Sequence, residues 1–82
     1  MTKPIRLLVV DDHHLFRRGL VGLLGEEPGF TIVGEASNGV DAVEMCRQLR
    51  PDVVLMDVNM PGGNGVDAAL TLKRESDVKI LM

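Results

Sequence analysis

VVLMDVNMPGGNG, residues 53–65, brings a carboxylate to the end of an apolar run. Val53, Val54, Leu55 and Met56 read as a short strand buried on both faces, since such runs, bounded by turn residues, suit the interior of a parallel sheet. A Pro/Gly-rich loop follows Asp57. Burying an unpaired carboxylate is costly. Asp57 must therefore stand at the solvent-facing mouth of that strand or have something to bind.

The surrounding chain repeats the same alternation. Ile5, Leu7, Leu8, Val9 and Val10 make a first apolar strand, closed by Asp11 and Asp12. From His13 the period changes: Phe16, Leu20, Leu23 and Leu24 fall at i, i+4, i+7 and i+8, one helical stripe, which Gly25, Pro28 and Gly29 end. Phe30 to Val33 reads as a second strand. Ser37, Asn38 and Gly39 form a turn, with Asn38 as N-cap. Ala42, Val43, Cys46 and Leu49 form the next stripe, with Glu44, Arg47 and Arg50 outside it, and Pro51 stops that helix. After the third strand, Val66, Ala69 and Leu70 give a third stripe, with Leu72 off to one side. Val78, Ile80, Leu81 and Met82 open a fourth strand. The order β-α-β-α-β-α-β predicts an α/β fold, a parallel sheet with helices on both faces joined by right-handed crossovers.

Bulk properties agree with one small domain. The chain has 82 residues, 45% of them apolar, with two Phe and no Trp or Tyr, so its core must be aliphatic. A net charge of −3 gives no case for nucleic-acid binding by this segment. The single Cys46 cannot form an internal disulfide and reads as a small buried hydrophobe of a reducing compartment. The apolar run near the N-terminus is too short for a signal-peptide core or a membrane span. The chain reads as soluble and cytoplasmic.

In an open parallel α/β sheet, ligands bind beyond the carboxyl ends of the strands, where strand order reverses. Asp11 and Asp12 end the first strand, and Asp57 ends the third. If those strands are neighbours, three carboxylates meet at one edge, and like charges so close repel unless a cation neutralises them. All-oxygen ligation with retained water is the habit of Mg²⁺, so the cluster predicts a magnesium site. Each piece also has a plainer reading. An Asp-Asp pair after a strand caps a helix and favours its dipole, and Asp57 before Pro and Gly forms turns. The coincidence of all three at the same strand ends favours the metal.

The stretches LLVVDDH, GEASNGVDAV, PDVVLMDVNMPGGNGVDA and VKILM carry a family resemblance. The chain resembles the receiver domain of a bacterial two-component response regulator, in the wording of DDHHLFRRGL and VGEASNG the subfamily preceding LuxR/NarL-type DNA-binding domains. The resemblance implies a flavodoxin-like doubly wound sheet. It makes Asp57 the acceptor of a phosphoryl group from a sensor histidine kinase. It makes Asp12 a direct Mg²⁺ ligand, Asp11 a ligand through water, and Asn59 the donor of a backbone carbonyl. Pro61 and Gly62 match the loop that shapes the site. The family's Ser/Thr after strand four, its Lys at the end of strand five and its last helices have no counterpart within residues 1–82. The implied unit is thus the N-terminal, incomplete portion of a receiver, and any DNA-binding domain lies outside it. His14 stands where the subfamily often has Pro, and Gly63 where an apolar residue is frequent.

Other features read as structure. His13 and His14 fall in the first helical turn, where adjacent residues do not face one another, and not as metal ligands. Gly62, Gly63, Asn64 and Gly65 lack the spacing and Lys of a P-loop. Arg17 and Arg18 read as a solvated helix face, with kinase docking left open by family analogy. Two further function classes remain. An aspartate-nucleophile phosphatase needs an acid two positions after its nucleophile, where Asn59 cannot donate a proton. A non-signalling interaction module would exploit an unprotected fourth strand and uncovered helix faces, which favour self-association or strand exchange.

Overall fold

Four short apolar runs pair in parallel into one sheet of order β2–β1–β3–β4. The computed structural model describes residues 3–57 and 64–81. The strands are β1 (Ile5–Val10), β2 (Phe30–Ala36), β3 (Val53–Met56) and β4 (Lys79–Leu81). The helices are α1 (His14–Gly25), α2 (Gly39–Leu49) and α3 (Asn64–Glu75). The alternation expected from the sequence is present throughout. The sheet turns from β2 on one side of β1 to β3 on the other, so the topological switch point lies between β1 and β3.

Register follows from the ends of the strands. Arg6 and Asp52 are joined by one main-chain and one side-chain bond: the Asp52 N–H donates to the Arg6 carbonyl at 2.8 Å, and the Arg6 N–H donates to Asp52 Oδ2 at 2.9 Å. From there Leu7 aligns with Val53 and Val10 with Met56. The β1–β2 ladder slips between Leu7 and Leu8, where Leu7 faces Ile32 but Leu8 faces Gly34. The second strand thus runs past Val33 and through Ala36, further than its apolar run indicates. Gly34 is there because α2 lies directly over it. A Cβ at that position would stand 2.6 Å from Met45 Cε, 3.0 Å from Leu49 Cδ1 and 3.2 Å from Leu8 Cδ1.

Period-2 alternation splits the central strands between two faces. Leu8, Val10, Ala36, Val54 and Met56 form one continuous core with Ala42 and Cys46 of α2, Ala68 and Leu72 of α3, and Val78. Cys46 is buried, as its place in the helical stripe predicts. The buried stripe of α3 differs from expectation: Ala68 and Leu72 point inward, while Val66 and Leu70 are exposed. α3 packs beside α2 and turns Ala68 and Leu72 together into the shared core, a choice that apolar periodicity alone does not reveal. Leu7 and Val9 are also buried. Val9 lines a cleft with Phe16 and Leu20 of α1, a helix in which no residue is buried. Asn38 caps α2 as expected, its side chain accepting the Asp41 N–H at 2.8 Å. Among the described residues no helix is long and apolar enough to cross a membrane.

Candidate functional site

Main-chain bonds at the carboxyl ends of β1, β2 and β3 set the site. The Asp11 N–H donates to the Ala36 carbonyl at 3.0 Å, and the Asp57 N–H donates to the Val10 carbonyl at 3.1 Å. These bonds extend two ladders by one residue each and bring the residues just past β1 and β3 to the same level. One ligand atom from each of Asp11, Asp12, His13 and Asp57 lies within 4.8 Å of the others. The convergence of Asp11, Asp12 and Asp57 required by the sequence argument is therefore present. Asn59, Pro61, Gly62 and Gly63 lie outside the described residues.

The three carboxylates have different surroundings. Asp11 is buried, and its Oδ1 accepts the His13 N–H at 2.8 Å, a local turn that fixes the chain before α1. Asp12 Oδ1 is buried and accepts no hydrogen bond, although His13 Nδ1 stands 3.2 Å from it. Asp57 is half-buried. Together with Val9, Leu55 and Leu81, Asp11 and Asp57 line an open cleft of about 430 Å³ with an apolar floor. A donor set of carboxylate oxygens in which one buried oxygen lacks a hydrogen-bond donor fits a hard divalent cation. The residues present thus suit the magnesium ion that the family implies.

His13 is the residue that the sequence argument misplaced. It is the N-cap of α1, with φ −87° and ψ 97°, and not a member of the first helical turn; no side-chain cap bond comes from it. That extended backbone turns the ring toward the preceding aspartates. His13 Nδ1 lies 3.2 Å from both Asp11 Oδ1 and Asp12 Oδ1. The hydrogen bond to Asp11, then the negative charges of Asp12 and Asp11, hold the imidazole pKa above its ordinary value. A short local interaction between a histidine and the residues just before it leaves no trace in hydrophobic periodicity, so only the backbone geometry at the cap exposes it.

Arg17 is likewise not part of a solvated face. Its side chain is 12% exposed, against 57% for Arg18. Arg17 Nη1 donates to the Asp11 carbonyl at 2.6 Å, Nε donates to Glu35 Oε1 at 3.1 Å, and Nη2 donates to His14 Nδ1 at 3.1 Å. Arg18 pairs with the other oxygen of Glu35. One guanidinium thus ties α1 to the ends of β1 and β2, using the planar fork of donors that a lysine lacks. No local sequence signal shows this: Glu35 reaches the same sheet edge as Asp11 only because β2 runs past Val33 and pairs with β1. A second open concavity, about 730 Å³, lies between the ends of α2 and α3, lined by Cys46, Arg47, Leu72 and Glu75 among others, and none of the clustered carboxylates lines it. Arg47 and Glu75 pair there through two bonds of 2.9 and 2.7 Å, which hold the Glu75 carboxyl below its ordinary value; exposed pairs of this kind stabilise little.

Known proteins are similar to this chain in sequence and in fold. Response regulator UvrY of Escherichia coli (strain K12) is 49% identical over 79 residues, which is 95% of this chain and 36% of that protein. A protein-glutamate methylesterase/protein-glutamine glutaminase of Alkalilimnicola ehrlichii is 46% identical over 78 residues, again 95% of this chain but 20% of that protein. The crystal structure of a LuxR-family two-component response regulator from Aurantimonas sp. SI85-9A1 superposes with a TM-score of 0.88 at 32% identity, covering 95% of this chain and 56% of that one. The chain therefore spans about a third of one of these curated relatives and a fifth of the other. Residues 7–82 match the response regulator receiver domain. With an acidic cluster at the switch point of a parallel sheet, and a family match over nearly its whole length, the chain belongs to the response regulator receiver domain family.

Proposed function

We propose that Asp57 accepts a phosphoryl group from a sensor histidine kinase, and that residues 1–82 are the N-terminal portion of a receiver. Its parent would regulate transcription through a DNA-binding domain outside residues 1–82. The observation that carries this reading is the meeting of Asp11, Asp12 and Asp57 at the ends of adjacent strands. An Asp57 oxygen attacks the phosphorus of a phosphohistidine. The O–P bond forms as the P–N bond breaks, and the electron pair stays on the imidazole nitrogen, which takes up a proton from water. Asp12, Asp57 and the main-chain carbonyl of Asn59 would hold Mg²⁺, with Asp11 acting through water. The ion, when bound, offsets negative charge on the phosphoryl oxygens. Arg17 keeps the Asp11 main chain in place from below. The product is an acyl phosphate, which water hydrolyses back to carboxylate and phosphate, so the mark is temporary. The chain thereby accelerates its own phosphotransfer and dephosphorylation without turning over a separate substrate. It acts in the cytoplasm, with no nucleic acid or membrane as a partner of this segment.

Intact-mass measurement after incubation with acetyl phosphate and Mg²⁺ tests the assignment. One phosphoryl group is expected on the wild-type chain and on Asp67→Asn, and none on Asp57→Ala. Labelling that survives Asp57→Ala overturns it, and steady turnover of a phosphomonoester would favour a hydrolase instead.

Self-association is a second expected property. β4 forms one edge of the sheet, and Phe16, Leu23 and Leu81 are exposed. Free strand edges and exposed apolar side chains both favour pairing with another chain. Light scattering should detect dimers or larger species, or exchanged strands; a monodisperse monomer contradicts the expectation.

A further inference from the structure

We propose that His13 is a fourth side-chain donor at the carboxylate cluster, so that the site takes a divalent transition ion such as Zn²⁺ more tightly than Mg²⁺. This rests on the metal-site reading above and extends it to a residue outside the carboxylate set. Geometry comes first. His13 Nδ1 lies 3.2 Å from Asp11 Oδ1 and 3.2 Å from Asp12 Oδ1. Ligands bound at ~2.1 Å stand ~3.0 Å apart when adjacent in an octahedral shell and ~3.4 Å apart in a tetrahedral one. The separation of His13 Nδ1 from Asp12 Oδ1 falls between these two values, so the ring nitrogen and that oxygen can share one small ion with little movement, Asp11 remaining a ligand through water.

The ring is also held where it is needed. The His13 N–H is bonded to Asp11 Oδ1, which fixes the main chain that carries the ring. Its side chain is 71% exposed, which lets an ion reach Nδ1 without opening the fold. The buried Asp12 Oδ1, which accepts no hydrogen bond, faces the same place. Chemistry then separates the ions. Carboxylate and water oxygens suit Mg²⁺, whereas imidazole suits zinc, nickel and copper. Mg²⁺ would use the oxygens and pass over the ring; a transition ion would use both. His14 supplies the internal control, because its Nδ1 accepts a bond from Arg17 instead.

Calorimetric titration of this chain with ZnCl₂ and, separately, MgCl₂ at about pH 8 tests the inference. His13→Ala should weaken Zn²⁺ binding by about tenfold or more while moving Mg²⁺ affinity less than about threefold, and His14→Ala should move neither. In ¹⁵N spectra of the wild-type chain, Zn²⁺ should displace the His13 Nδ1 resonance and leave that of His14 in place. Unchanged Zn²⁺ affinity in His13→Ala, with Mg²⁺ binding and Asp57 labelling intact, overturns the role of His13 alone. A wild-type chain that neither binds Mg²⁺ nor labels at Asp57 overturns the underlying site as well.

Discussion

Leu8→Ala is expected to lower the unfolding free energy by about 3–5 kcal/mol, enough to unfold much of a domain this small at room temperature. Leu8 is fully buried at the centre of the sheet, aligned with Gly34 on one side and Val54 on the other. It belongs to the core shared with α2 and α3, where packed neighbours cannot collapse readily into the space it leaves. Leu23→Ala removes the same atoms from an exposed site on α1 and should cost less than about 0.5 kcal/mol. Urea denaturation followed by far-ultraviolet circular dichroism compares the two. Similar midpoints for both variants would contradict the assignment of the core to the α2–α3 face.

Asp12→Asn should have opposite effects with and without metal. In the wild-type chain, Mg²⁺ at about 100 times its dissociation constant should raise stability by about 2.7 kcal/mol. The variant should lose about half of that gain or more, with Mg²⁺ affinity reduced by about tenfold or more, because an amide oxygen is a neutral and weaker ligand than a carboxylate. With chelator present, the same variant should be as stable as wild type or slightly more so, since one of three crowded negative charges is gone. General damage to the fold would instead lower stability in both conditions. Scanning calorimetry with excess Mg²⁺ and with chelator reads both arms. The chain has no Trp or Tyr, so a fluorescence titration is unsuitable. A variant that retains the full Mg²⁺ gain would remove Asp12 from the metal site.

The methylesterase relative bears on how far the function extends. Nearly the whole of this chain matches a fifth of an enzyme and about a third of a response regulator named without an enzymatic activity. Proteins of different named activity thus share similarity with this chain, and the transcriptional role proposed here rests on the LuxR/NarL-type wording of the sequence.

Much of this molecule was legible in local sequence. Strand ends at Val10 and Met56, the Asn38 cap and the buried Cys46 all follow from short-range chemistry: apolar runs, turn residues and one side-chain hydrogen bond. The placement of Asp11, Asp12 and Asp57 at strand ends was legible for the same reason. Other features depend on contacts between segments far apart in the chain. Gly34 and Glu35 lie beyond the apolar run that ends at Val33, and only pairing with β1 extends β2 through Ala36. The inward face of α3 was set by its packing beside α2, which buries Ala68 and Leu72 and leaves Val66 and Leu70 exposed. Arg17 reads as a surface charge until the sheet brings the Asp11 carbonyl and Glu35 within its reach.

By itself the sequence determined the order of elements and the three aspartates at strand termini, because periodicity and turn chemistry act over a few residues. Only the tertiary structure decided that β1 and β3 are neighbours, that His13 turns back onto Asp11 and Asp12, and that Arg17 is drawn inward. Strand order and ion-pair partners depend on which distant segments share a ladder or a charge, and that information resides in the packing rather than in any one stretch of chain.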